Sequence, residues 1–290
     1  MFRRIGIVAK QGDAALRHTL QSVLAVLARH DADVIGTPVI GLDAAALGYA
    51  EGDDQAVILD RDLIIAIGGD GTLLRAGRLA FAHHVPVLGV NLGRLGFLAD
   101  LSPQQVTIGL DAILAGRFIA EDRFILQCEI LRDGQALSVH HAMNDIVIQR
   151  WHTAHLITLN TYVDGRFVHT QRSDGMIVST PTGSTAYSLS GGGPILDPSL
   201  QAVVLVPICP HTLTNRPLVI GSNARVEIDV ASDNAGDARV TADGNPLPNL
   251  APGDRIRITR HVDSVRLIHP SGHDHFATLR AKLHWGRSPC

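Results

Sequence analysis

The chain has 290 residues, enough for one large domain or two ordinary ones, and 46% of them are hydrophobic, so real cores can form. A net charge of −3 with no long basic block argues against a nucleic-acid partner. Cys128, Cys209 and Cys290 are isolated, the apolar run before Lys10 is too short for a signal peptide, and no apolar run approaches ~18 residues. The expectation is a cytoplasmic protein with neither a disulfide framework nor a membrane span.

Residues 5–9 predict a first strand, and residues 14–30 a helix with Leu16, Leu20, Val23, Leu24 and Leu27 on one face. A weaker strand is expected over 33–40, and the Ala-rich stretch 41–60 reads as ambiguous. Residues 63–67 are short, charge-free and β-branched, as in a buried strand of a parallel sheet. They end in Gly68-Gly69-Asp70-Gly71-Thr72, and a helical pattern follows with Thr72 placed to cap it. Strand, glycine-rich turn and helix N-terminus form a geometry that binds phosphate through free amides and the helix dipole. A plain tight turn with Asp70 as a helix cap has the same pattern. Residues 85–90 predict another buried strand, ending in the glycine-punctuated loop Asn91-Leu92-Gly93-Arg94-Leu95-Gly96-Phe97-Leu98. Ser102, Pro103 and Gln105 mark a helix start, and Gly116 follows its end. Alternating strands and helices imply a parallel sheet, whose ligands gather at the carboxyl ends of the strands.

From about Arg123 strands dominate. Asp133-Gly134 and Asp164-Gly165 each sit between apolar runs and predict hairpins. Short strands over 176–179, 203–206, 225–230, 239–242 and 255–259 complete an all-β pattern. The tail shows one strand, over 265–268, and little else that is regular.

Three motifs in this half carry polar chemistry. Asn144-Asp145 is either an ordinary turn or a pair that holds a ribose diol. Arg172-Ser173-Asp174-Gly175 is a plain turn or a cation and an anion facing a ligand. The segment 179–188, Ser-Thr-Pro-Thr-Gly-Ser-Thr-Ala-Tyr-Ser, is hydroxyl-rich. It reads as a binding segment more than as a flexible linker, because it carries Tyr187 and Leu189 follows it. His152 with His155, and His269 with His273 and His275, have spacings a metal could use. No HExxH or Cys/His signature accompanies them, so they read as surface or satisfied core histidines, and no protein ligand of a metal is assigned. The chain contains no Walker P-loop, no Gly-x-Gly-x-x-Gly after the first strand and no Gly-x-Ser-x-Gly elbow.

Taken in order, these motifs resemble the NAD kinase family. The matching stretches are residues 68–72, 91–98, Asn144-Asp145, 171–175, 180–187 and 207–219. The Gly-Gly-Asp-Gly-Thr turn alone is shared with lipid and sugar kinases; the 180–187 stretch with Asn-Asp is more specific. Family members often carry Asn-Glu where this chain has Asn144-Asp145. The resemblance implies transfer of the ATP γ-phosphoryl group to the adenosine-ribose 2′-hydroxyl of NAD, with Mg²⁺ or a similar divalent ion, in a homodimer or homotetramer. It implies an α/β ATP-binding domain over residues 1–120, a β-sandwich NAD-binding domain over 121–264, a tail over 265–290 packing back on the first, and a site between the domains.

On that basis Asp70 is the expected general base. Gly68, Gly69, Gly71, Thr72 and Arg75 would hold the phosphates, and Asn144 and Asp145 would hold NAD. Thr182, Thr185, Ala186, Tyr187, Ser188, Leu189 and Ser190 would line the adenine and ribose pocket. Arg172, Asp174 and His155 are expected near the nicotinamide half, and Asp243 and Asn245 along the site. The competing readings are a lipid or sugar kinase using the same turn and a nucleotide-binding sensor without turnover.

Overall fold

The computed structural model describes residues 2–93, 96–151, 154–231 and 237–285. The chain divides into two compact units, one made of residues 1–122 with 265–290 and the other of residues 123–264.

The first unit is built on β1 (Arg4–Ala9), β2 (Asp33–Gly36), β3 (Ala50–Glu51), β4 (Leu63–Ile67) and β5 (Val87–Val90). They lie in the order β5-β4-β1-β2-β3, all parallel. Beyond β5, Leu267 and Ile268 of the long strand Arg255–Pro270 pair in parallel with Val87 and Leu88. β4 is buried along its whole length, which accounts for its lack of polar residues. Helices α1 (Leu16–Arg29) and α4 (Val106–Leu114) share a core with Ile5, Ile7, Ile65, Ile67 and Val90. Helix α3 (Asp70–Ala80) packs on β4 and β5; a side chain on Gly89 would meet its Leu73. α2 (Ala44–Leu47) is a single capped turn before β3.

The second unit has two antiparallel layers. One contains Ile157–Val163, Arg166–Ser173, Val226–Val230 and the start of Arg255–Pro270, together with the hairpin Phe118–Arg132/Gln135–Ala142. The other runs Leu218–Gly221, Ala202–Ile208, Gly175–Ser179, Asp145–Arg150, Ala238–Ala242, Asn245–Pro246. Leu126, Ile130, Leu159, Ile228 and Ile256 of the first layer meet Ile146, Ile148, Met176, Val178 and Val240 of the second in one core. That is sandwich packing. The expected fold class, an α/β unit with a parallel sheet plus a β-sandwich, is the one observed.

Both predicted hairpins form. Asp133 and Gly134 have φ of 51° and 80°, and Asp164 and Gly165 have 51° and 75°, the left-handed pair a two-residue turn needs. Gly116 ends α4 at φ +86°.

Several boundaries differ from expectation. The second strand stops at Gly36 rather than residue 40. Thr72 does not cap α3; the helix starts at Asp70 behind an extended Gly69. Ser102 is not the cap of α4: its hydroxyl donates to Gln105 Oε1 at 3.0 Å, and the helix begins at Val106. The strands expected over 255–259 and 265–268 are one continuous strand. The tail also holds a helix, His275–Leu283, whose cap Asp274 accepts from the Phe276 amide at 2.9 Å. Its single buried residue, Leu279, leaves too little apolar pattern to read in advance. No helix among the described residues is long and apolar enough to cross a membrane.

Candidate active site

In the first unit the apolar β4 delivers the chain to Gly68, which is buried. A Cβ there would collide with the Thr72 side chain, so this glycine is required by packing. Gly69 and Gly71 are different. Both are exposed, neither has a positive φ, and a Cβ at either would meet nothing within 4 Å. The first turn of α3 has no side-chain cap; its Thr72 amide donates to the Gly69 carbonyl at 2.9 Å, and the amides ahead of it, of Asp70 and Gly71, lie beside this space.

The Asp70 carboxylate accepts from the amides of Phe97, at 2.8 Å, and Leu98, at 3.1 Å. A Cβ on Gly96 would run into the same carboxylate. Asp70 thus ties the two glycine-rich loops of the sequence together at the carboxyl ends of β4 and β5. Arg94 and Leu95 lie outside the described residues. Buried Asn91 accepts from the Gly93 amide at 2.8 Å, and its Nδ2 has no hydrogen-bond partner. Arg75 makes an ion pair with Asp54 at 2.6 Å, both side chains being about half exposed. Its charge is therefore shared with a carboxylate that sequence reasoning did not single out.

In the second unit the turn before Asp145–Arg150 is organised by Asp243. Its carboxylate accepts from the amides of Met143 (3.0 Å), Asn144 (2.7 Å) and Asp145 (3.3 Å). Asp243 itself sits at φ 45° in a third Asp-Gly turn, with Gly244 at 76°. Asp145 is only 5% exposed. Burial first, and then the neighbouring Asp243 charge, push its carboxyl up to about 7. Asn144 Oδ1 is buried without a hydrogen-bond partner.

The hydroxyl-rich segment closes on this turn. The Thr180 hydroxyl donates to the Met143 carbonyl at 2.6 Å and accepts from the Gly183 amide at 3.1 Å. A Cβ on Gly183 would strike the Asn144 carbonyl. Thr182–Thr185 is a 3₁₀ turn and Tyr187–Ser190 a short helix, so the segment is ordered rather than a linker. Thr182 accepts from Arg123 Nη1 at 3.2 Å, and Thr185 donates to the Thr182 carbonyl at 3.3 Å. Ser188 Oγ is buried without a partner, whereas Tyr187 and Ser190 are exposed and Ala186 and Leu189 are half-buried. Arg123, 4% exposed, was not anticipated; a lone arginine preceding an apolar strand was its only sequence signal.

The remaining expected residues do not join this constellation directly. Asp174 pairs with Arg150 at 2.7 Å rather than with its near neighbour Arg172, which is exposed. His155 is exposed, and His152 lies outside the described residues. Asn245 turns its amide back to the carbonyls of Ala242 (3.1 Å) and Asp243 (3.2 Å), bracing the Asp-Gly turn.

Residues 50–118 match the profile of the ATP-NAD kinase N-terminal domain, and residues 143–270 that of the ATP-NAD kinase C-terminal domain. The chain is 45% identical over 291 aligned residues to the NAD kinase of Nitrosococcus oceani, covering 99% of this chain and 98% of that protein. It is 42% identical to the NAD kinase of Teredinibacter turnerae, covering 98% and 97%. In structure it is similar to yeast NADH kinase complexed with NADH, with a TM-score of 0.87, 26% identity and coverage of 100% of this chain and 89% of that one. It is also similar to an NAD kinase from Archaeoglobus fulgidus in complex with ATP, with a TM-score of 0.73, 25% identity and coverage of 97% and 98%. Neither a lipid or sugar kinase nor a non-catalytic sensor finds support in these matches, and the chain belongs to the NAD kinase family.

Proposed function

We propose that this protein transfers the γ-phosphoryl group of ATP to the 2′-hydroxyl on the adenosine ribose of NAD, with Asp70 as the base. The hydroxyl proton passes to the Asp70 carboxylate as its oxygen bonds to the γ-phosphorus, and ADP leaves. What carries this reading is the open space over Gly69 and Gly71 beside a carboxylate fixed by the Phe97 and Leu98 amides. Phosphoryl transfer asks chiefly for alignment and charge stabilisation, and here backbone amides supply much of both. Gly68 and Thr72 shape the turn, and Arg75 adds a partly compensated cation.

The second unit supplies recognition of NAD. Asn144 and Asp145 meet its hydroxyls or adenine, and their orphaned or poorly solvated oxygens explain why a donor-rich ligand is favoured there. Thr182, Thr185, Ala186, Tyr187, Ser188, Leu189 and Ser190 contribute to the nucleoside pocket, with Asp243 and Asn245 as positioning residues. Arg172, Asp174 and His155 serve the nicotinamide half.

A divalent cation fits as a partner of the substrate phosphates. Among the described residues the one close grouping of three His, Cys, Asp or Glu ligands does not include Asp70. No protein cage is therefore offered at the turn, which suits an ion that keeps its waters and binds mainly through phosphate. When bound, it would neutralise phosphate charge. The same reading has the enzyme working in the cytoplasm as a homodimer or homotetramer, which sedimentation analysis would test; a monomer at micromolar concentration would refute the assembly.

The deciding experiment is Asp70→Asn assayed with ATP, Mg²⁺ and NAD. Turnover should fall by about 10²–10⁴-fold while NAD still binds. Near-wild-type turnover would remove Asp70 from the base role.

A further inference from the structure

Three separated segments of the first unit converge on one carboxylate oxygen. Asp100 follows β5, His269 ends the long strand Arg255–Pro270, and His273 precedes the tail helix. His273 Nδ1 stands 3.2 Å from Asp100 Oδ2, and His269 Nδ1 contacts the same oxygen. The two imidazole rings are stacked, with centroids 4.0 Å apart and 26° between planes. One ligand atom from each of the three residues lies within 4.8 Å of the others. His269 is 2% exposed, and its other nitrogen, Nε2, faces Glu121 Oε2 at 3.4 Å. Asp100 and His273 also line a cavity of about 450 Å³ with Gln104, Gln105, Ile108 and Thr278.

We propose that Asp100, His269 and His273 form a zinc site that fastens the returning end of the chain to the parallel sheet. A metal ion would take the Nδ1 lone pairs of both rings and the charge of Asp100 at once. Tetrahedral zinc with bonds of about 2.0–2.1 Å separates neighbouring N and O ligands by about 3.3 Å, so the closer His269–Asp100 contact would have to open to admit the ion. The His273–Asp100 separation of 3.2 Å already meets that requirement. Two imidazoles with one carboxylate favour zinc over magnesium or calcium. Glu121 stands where a carboxylate orients a metal-bound histidine through its second ring nitrogen. Three protein ligands leave a fourth position for water, and the cavity gives the ion a way in.

The test uses the full-length protein stripped with a chelator and titrated calorimetrically with zinc chloride alone. One zinc should bind per chain, and about a hundredfold excess over Kd should raise Tm by about 5–10 °C. His273→Gln should weaken binding at least tenfold and abolish most of that rise. Absence of zinc binding, or an equal rise in His273→Gln, would overturn the proposal, the latter assigning the effect to other histidines. Should His273→Gln fail to fold, the Co²⁺ form of the unaltered protein decides. Intense visible bands of a four- or five-coordinate ion support the site, and the weak spectrum of hexahydrated cobalt refutes it.

Discussion

Gly71 has an unstrained φ and empty space where its Cβ would stand, so nothing inside the first unit asks for glycine there. In the first turn of α3 alanine is the better helix former, by up to about 1 kcal/mol. Gly71→Ala should therefore leave Tm unchanged or raised while kcat/KM falls at least tenfold, because the added methyl occupies the space proposed for phosphate. A stability loss in a calorimetric scan, or unchanged kinetics, would contradict the assignment. Asp145 makes the complementary case. Its carboxyl titrates near 7 in the folded protein against an ordinary 3.8, so the folded state binds the extra proton. Stability at this site is full below pH 3.8, falls as pH rises toward 7 and is level above. Asp145→Asn should escape this loss and gain up to about 4 kcal/mol over the parent at pH 8, with no gain at pH 3.5. The same variant should raise KM for NAD; melts that shift equally at both pH values would reject the argument. The sequence named Asp145 as a candidate but could not show its burial, because the Asp243 carboxylate beside it comes from about a hundred residues further on.

The glycine-rich turns were legible as elements because strand, glycine and helix signals abut within a few residues of each other. Their joining was not. The hydrogen bonds from Phe97 and Leu98 to Asp70 bridge 27 and 28 residues, and no local pattern records them. Gly96→Ala is the test at this scale. Its methyl would force the Asp70 carboxylate out of place, so kcat should drop at least tenfold while α3 and β4 remain folded. Normal kcat would mean that the loop yields freely. The Asp-Gly hairpins were readable for the opposite reason, since two adjacent positive-φ residues fix the turn by themselves. Ser102 misled because its hydroxyl is taken by the Gln105 side chain, a choice between two nearby partners that spacing does not decide.

At the scale of the whole chain, the α/β-then-β order was visible as a change from helical to alternating periodicity near residue 123. The merging of two short apolar runs into the strand Arg255–Pro270 was hidden, since polar residues interrupt the pattern where one unit gives way to the other. Ile268 and Leu267 complete the core around β5 at 3% and 1% exposure. Ile268→Ala should therefore cost the first unit about 2–5 kcal/mol, read by denaturant unfolding. A loss under 1 kcal/mol would show that the returning strand is dispensable.

That returning strand also sets a clock on synthesis. β5 leaves the ribosome long before Leu267 and Ile268, and the second unit must be translated in between. At about 5–20 residues per second, the interval is about 10–35 s. Throughout it, Val87 and Leu88 lack the returning-strand partners they have in the finished sheet and offer a short open edge, the kind of surface to which other strands add. The second unit, continuous in sequence, can fold in that interval, whereas the unit that begins the chain is the last to be finished. Ribosome-bound chains halted before Leu267 are thus the species on which chaperones should act.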